Sequence, residues 1–239
     1  MNSFNLVDDE AQRKIQKNKR DMVGTNNNNN NNNTKSDLTK YVDIFSTGVV
    51  VGSSASFTLL NGIQGGNDFY QRTNRVVSGK ELKINLNFIQ HQTAIGYYAS
   101  DTARVLVVWD HQADATPVAS DLLLDINAGG ITSTSNLSHK NINNKERFIF
   151  LVDERYALPA YSITTVNQIN TVNAPHRPNN EKWSETINVK LDSLITRYNG
   201  TGSTISAINS GALYLFVLGS NATSGWSINF SARYSFLDV

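Results

Sequence analysis

From residue 41 to the last residue, apolar side chains either alternate with period two or run unbroken over short stretches. Nowhere do they recur with the spacing of a long amphipathic helix. Leu82, Ile84, Leu86 and Phe88 fall on one face of a predicted strand, with Lys83, Asn85 and Asn87 on the other. Ile187, Val189 and Leu191 alternate with Asn188 and Lys190, and Ile228, Phe230, Ala232, Tyr234 and Phe236 form a third such face. Val105–Trp109 and Leu213–Leu218 are apolar at consecutive positions, as in strands covered on both sides. The pattern predicts strands at Val49–Leu60, Leu82–Gln90, Arg104–Asp110, Arg147–Val152, Glu185–Leu191, Ile195–Tyr198, Leu213–Leu218 and Ser227–Phe236. Gly- and Asn-rich clusters such as Asn61-Gly62, Gly65-Gly66-Asn67 and Asn199-Gly200 separate them. Leu122–Ile126 reads as one short helical turn. The loops at 111–146 and 154–183 are too long for tight hairpins. The fold class is therefore all-β, a sandwich or jelly roll of two packed antiparallel sheets.

Residues 1–40 have a different texture and are read as an arm and linker, ahead of a body at 41–239. Asp8-Asp9-Glu10 precedes Arg13, Lys14, Lys17, Lys19 and Arg20, five cations in eight residues with no acid among them. Acids first and bases last suit a helix macrodipole, and Asp9 with Arg13 and Glu10 with Lys14 are spaced i,i+4. A short helix over 8–20 is the expectation, too short to stand alone in water, ordering only against a partner. Asn26–Asn33 is an unbroken run of eight asparagines. It has no apolar surface to offset its conformational entropy and is read as a tether. The five cations are the predicted nucleic-acid-binding residues, contacting phosphates without sequence preference.

Composition narrows the function classes. Net charge is only +1, so attraction to a polyanion has to come from locally concentrated charge. Cysteine is absent, which excludes disulfides and thiolate chemistry. Charged residues make up 17% of the chain, below the usual ~25%, and Asn, Ser and Thr replace them, leaving a neutral polar surface suited to contact between copies. No secretory signal is visible, and no stretch approaches the ~18 apolar residues of a membrane span. The sequons at Asn136, Asn199, Asn221 and Asn229 are read as unglycosylated. His91, His111, His139 and His176 show no metal-type spacing. Asp110-His111 with Asp114 reads as a polar turn, and adjacent Asp153-Glu154 point to opposite faces of a strand and cannot flank one bond. Catalysis, cofactors and metals are not expected. Trp109 and the aromatics of the last strand are read as core, whereas Phe69-Tyr70 and Tyr97-Tyr98 are candidates for base stacking or subunit contact.

The order of several stretches carries a resemblance. Leu60-Asn61-Gly62-Ile63-Gln64-Gly65-Gly66 leads to Arg72 and Arg75 and then to the Lys80–Phe88 strand. Arg104–Asp110 follows, with Gln112, Pro117 and Asp121, then Arg147–Asp153 and Gly211–Leu215. Over roughly residues 55–239 this resembles the capsid proteins of small circular single-stranded DNA viruses encoding a replication initiator (circovirus-like). Those in turn are similar to shells of the satellite tobacco necrosis type. The resemblance implies a single eight-stranded jelly roll and a T=1 icosahedral shell of about sixty copies. It also implies an inward basic arm on a single-stranded DNA genome, a virion location and an unknown host receptor. Lys17–Arg20 also reads as a nuclear address for assembly in the host nucleus. The arm carries two Arg and three Lys where many relatives are longer and arginine-rich. Sixty such arms supply about 300 positive charges against one negative charge per nucleotide, a minority of what a genome of this kind needs. Cations, Lys35, Lys40 and inner-face residues of the body are expected to meet the remainder. The rival reading is a carbohydrate- or receptor-binding jelly-roll module, which explains the β body and leaves the arm idle.

Overall fold

Leu82, Ile84, Leu86 and Phe88 are all buried, and Lys83, Asn85 and Asn87 between them are exposed, so the alternation in the sequence is a real strand with one face in a core. The computed structural model describes residues 38–90, 96–98, 100–124, 126–128, 131–163, 184–192, 194–221 and 225–239. The arm cations, the asparagine run, the 8–20 helix, Lys35, His91, His176 and Trp183 lie outside the described residues, as do the side chains of Tyr97 and Tyr98. The strands are β1 (Lys40–Val51), β2 (Ser56–Leu59), β3 (Val76–Gln90), β4 (Gly96–Tyr98), β5 (Asp101–Asp110), β6 (Ile126–Ala128) and β7 (Ile131–Ser133). They continue with β8 (Phe148–Leu158), β9 (Tyr161–Ile163), β10 (Ser184–Lys190), β11 (Ile195–Tyr198), β12 (Ile208–Ser210), β13 (Ala212–Leu218) and β14 (Trp226–Asp238). A single helical turn, α1 (Ala119–Leu122), lies between β5 and β6.

Two antiparallel sheets face each other. The first runs β1-β14-β3, with β10 and β11 in line on the far edge of β3 and β12 beyond β11. The second runs β2-β13-β5-β8. Taken in chain order, the first main strand pairs with the last, the second with the next to last, and so inward: β1 with β14, β2 with β13, β3 with β10 and β11, β5 with β8. Successive pairs fall in alternate sheets. That is the eight-stranded jelly roll, a long hairpin wrapped so that its rungs alternate between two layers. β4 with β9 and β6 with β7 form small separate ribbons.

The elements differ from the expectation in several places: β3 begins at Val76 and β8 runs on to Leu158, and β4, β6, β7, β9 and β12 fall outside the expected strands. Val49–Leu60 is not one strand but the end of β1 and all of β2, in different sheets, crossing over at Gly52-Ser53-Ser54. The start of β1 is hidden because Tyr41 and Phe45 are apolar yet exposed, which masks the inward alternation of Val42 and Ile44. Glu185–Leu191 and Ile195–Tyr198 serve as one strand broken at 191–194, since both pair with β3. The helical turn expected over Leu122–Ile126 lies instead at Ala119–Leu122, where the Asp121 carboxylate accepts from Val118 N–H at 2.9 Å and caps its start, and Leu123 leaves the helix to bridge Lys140.

The main core fills the space between the sheets, with Trp109, Trp226, Tyr234 and Phe230 among its largest members. β5 and β13 are buried at every apolar position, as their unbroken sequences predict, because a third layer covers their outer face. That layer comes from residues 111–147. Leu122 and Leu123 close with Phe148, Leu106, Val108, Phe216 and Leu218 into a second, smaller core. Arg104 holds it down. Its guanidinium makes a bidentate pair with Asp153 at 2.8 and 2.9 Å and donates to the carbonyls of Asn136 and Ser138. At the other end Arg147 pairs twice with the fully buried Asp110, both at 2.9 Å.

Candidate functional site

Several motif residues prove to be structural. Asn61 is fully buried and donates to Thr196 Oγ1 and to Gly211 O, accepts from Leu213 N–H through its side chain, and accepts from the Tyr198 hydroxyl through its carbonyl. Arg72 lies with its guanidinium 3.8 Å above the Tyr198 ring and donates to the carbonyls of Ile63, Asn74 and Gly200. Burial pushes the Tyr198 hydroxyl far above its ordinary pKa. Asp110 is occupied by Arg147 and by the N–H of Gln112, while His111 is an exposed turn residue. His139 is likewise exposed. Among the described residues no group of three His, Cys, Asp or Glu is placed to hold a metal, and no helix is long and apolar enough to cross a membrane. Three sequon amides are engaged: Asn136 Nδ2 donates to Thr102 O at 3.1 Å, Asn221 Nδ2 donates to Ser100 O at 3.0 Å, and Asn229 Oδ1 accepts from Gly48 N–H at 2.8 Å.

The adjacent acids separate as expected. Asp153 turns toward Arg104, with Lys140 at 3.4 Å, and Glu154 toward a cleft of about 270 Å³ at the edge between β8 and β10. Tyr156 and Glu185 line the same cleft, and burial, with the charges of Glu185 and Glu154, pushes the Tyr156 hydroxyl up to about 12.

The root of the arm is pinned. Lys40 pairs with Asp238 at 2.8 Å and donates to Gln71 O at 2.9 Å, and Asp238 also accepts from the N–H and hydroxyl of Thr73. Burial alone raises the Asp238 carboxyl, but Lys40 and Thr73 outweigh it and hold the pKa below the ordinary value. Beside this pair, Tyr41 meets the exposed Phe69 edge-on at 5.1 Å, and Arg233 lies 4.2 Å above the Tyr41 ring.

Two kinds of surface remain. One is the solvent face of the first sheet, built from the outward positions of β1, β14, β3 and β10. Register sets Phe45, Ser231, Asn85 and Thr186 in one row and Asp43, Arg233, Lys83 and Asn188 in the next. The Thr186 hydroxyl donates to Asn85 Oδ1 at 3.0 Å, and Arg233 makes two bonds of 2.7 Å to Asp43. Hydrogen bonds and charge from Arg233 hold the Asp43 carboxyl below its ordinary pKa. The other is a set of large apolar side chains in water on separate parts of the body. Tyr41, Phe45 and Val50 lie on β1, Phe69 and Tyr70 in the loop before β3, and Ile195 on β11. Val118, Leu137 and Ile142 lie on the third layer, Leu137 and Ile142 at 67% and 70% exposure. The sequence marked Phe69-Tyr70 but missed Phe45 and Arg233. The signal for Phe45 was an apolar residue in step with Tyr41 and Asp43 rather than with Val42 and Ile44.

No protein-family model matches this chain, and no curated protein matches it. Among solved structures it is similar to one described as Desmodium yellow mottle tymovirus. The two share 11% identity over 84% of this chain and 86% of the other, with a TM-score of 0.31. A likeness this distant leaves function to the residues themselves.

Proposed function

We propose that this chain is a viral capsid protein that self-assembles into a small closed icosahedral shell and packages single-stranded DNA through its N-terminal arm. The observation that carries the reading is the distribution of exposed apolar side chains. Exposed apolar patches mark sites of contact with other molecules. Here they occur on the β1 edge, on the loop before β3, on β11 and on the third layer. A subunit that meets copies of itself on several sides through heterologous contacts, closing by rotation, needs that arrangement. The neutral Asn, Ser and Thr surface avoids repulsion between copies, and the tethered cations supply the only dense positive charge that the sequence contains. The role is structural rather than enzymatic.

Electron microscopy of the expressed chain, with nuclease treatment and extraction of the contents, tests this. Homogeneous closed particles holding nuclease-protected single-stranded DNA are the expected result. A monomer that stays empty in every buffer, or one retained on a sugar column without nucleic acid, overturns it. Changing Arg13, Lys14, Lys17, Lys19 and Arg20 to Gln should leave particles intact but cut the packaged DNA severalfold. It should also flatten the dependence of log affinity on log salt by up to about 3.5 units, at ~0.7 per charge. Unchanged packaging and salt slope would remove the arm from the mechanism.

A further inference from the structure

The arm carries too few charges for a genome, so on the capsid reading free cations and other parts of the chain share the rest of the packaged strand's charge. We propose that a depression on the solvent face of the first sheet, at Phe45, Lys83, Asn85, Ser231 and Arg233, binds nucleotides of single-stranded DNA. The inference rests on the capsid reading and adds a site on the folded body to the one on the arm. The depression has a volume of about 270 Å³ and is also lined by Asp43, whose carboxylate is held by Arg233.

Three observations converge there. First, Phe45 is 73% exposed, the most exposed large apolar side chain of the described residues, and stands at the rim of the depression on a rigid strand rather than a loop. An open ring face of this kind stacks on an unpaired base and is indifferent to which base it is. Second, Lys83 and Arg233 are directly opposite each other across β3 and β14 on the same face. Like charges in that position destabilise a sheet pair, so the placement works against the fold by itself. Asp43 neutralises Arg233 through its Nε and Nη2, whereas the cross-strand neighbours of Lys83 are Arg233 and Asn188, neither an acid. The row of four therefore holds one positive charge in excess. An anion seated over it relieves the repulsion. Third, the adjacent row carries the Ser231 hydroxyl and the Asn85 amide, bonded to each other at 3.4 Å, polar groups with the chemistry to donate to a sugar or phosphate. Ring, cation and short polar groups around one depression match the parts of a nucleotide: base, phosphate and sugar. A second copy of the chain fits less well. Interface centres are depleted of charge, and the same face of another copy would double the positive excess.

The test uses the full chain and a labelled oligothymidylate, with a duplex of equal length for comparison. Phe45→Ala should weaken single-strand binding roughly tenfold, within the range of one lost base stack, and narrow the preference over duplex; Phe45→Tyr should restore both. Lys83→Gln should lower the slope of log affinity against log salt by about 0.7. Lys145→Gln removes one exposed charge from the third layer and should leave affinity unchanged. None of these side chains is buried, so the Phe45 and Lys145 variants should melt with wild type, and Lys83→Gln, which relieves the repulsion from Arg233, should melt no lower, which separates binding from folding. If the wild-type chain binds no oligonucleotide, the capsid reading fails and this site with it. If it binds but the Phe45 and Lys83 variants match Lys145→Gln, the site is overturned and the arm alone carries the DNA. Loss of particles with unchanged oligonucleotide affinity in Phe45→Ala also overturns it and assigns the face to contact between copies.

Discussion

Asp153→Ala is expected to destabilise the fold by about 3 kcal/mol, the low end of the cost of removing one partner from a buried ion pair, because the Asp153 side chain is itself 22% exposed. Arg104 is 2% exposed, so without the carboxylate its guanidinium keeps two carbonyl acceptors and no countercharge. Lys140, half in water at 3.4 Å, contributes little to the loss. For a chain of this size the change corresponds to a fall in Tm of roughly 10 °C, read by calorimetry or urea titration. Because Asp153 orients the guanidinium that fastens residues 136–138 to β5, the variant should also loosen that layer, expose the small core of Leu106, Val108, Leu122 and Phe216 and bind a hydrophobic dye. Arg104→Met with Asp153→Leu should recover much of the loss, since an apolar replacement of both partners leaves no stranded charge. A double variant as unstable as the single one would show that packing, not the uncompensated charge, dominates.

The same pair sets a pH dependence. Burial raises the Asp153 carboxyl, but hydrogen bonds and charge from Arg104, with Lys140 alongside, outweigh it and hold the pKa below 3.8. A carboxyl depressed in the folded state contributes its full stability above its ordinary pKa and loses it as the pH falls through the folded value. The stability gap between wild type and Asp153→Ala should therefore be constant near neutrality and shrink only in acid, below the ordinary carboxylate range. A gap that widens in acid would contradict this assignment.

Gly211→Ala should be the second large loss, for steric reasons. Gly211 has φ near +78°, in the left-handed region, where an L side chain costs about 1–2 kcal/mol. A Cβ there would also stand 2.5 Å from the carbonyl oxygen of Ile195 and from the Trp109 ring. Neither can move freely. Thr196 and Asn61 both donate to the Gly211 carbonyl, fixing the start of β13 against β11, and Trp109 is packed in the main core. Overpacking of this kind adds about 1–3 kcal/mol. Gly48→Ala is the control, since Gly48 has φ near +69° but nothing within 4 Å of a Cβ. Its cost should be the conformational part alone, about 1–2 kcal/mol. Equal urea midpoints for the two variants would mean that the close approach at Gly211 relaxes without cost.

Part of this molecule could be read residue by residue. Leu82 to Phe88 alternates because a strand turns successive side chains to opposite faces, and the structure buries one set and exposes the other. The unbroken run Val105–Trp109 announced a strand covered on both sides, and it is. It could not announce that residues 111–147 would provide the cover, because a two-sided strand looks the same whatever lies over it. Asn61 looked like half of an Asn-Gly turn. Its buried role depends on Thr196, Tyr198, Gly211 and Leu213, at least 135 residues away in the chain. Lys83 and Arg233 each looked like an ordinary outward charge, and only the register of β3 against β14 makes them opposite neighbours.

Local pattern alone determined that the body is made of strands and which face of each is apolar, because period is a property of short stretches. The tertiary structure decided which strands lie side by side and in what register, and hence where Phe45, Lys83 and Arg233 meet. That choice is made by packing between distant parts of the chain, which no short stretch contains.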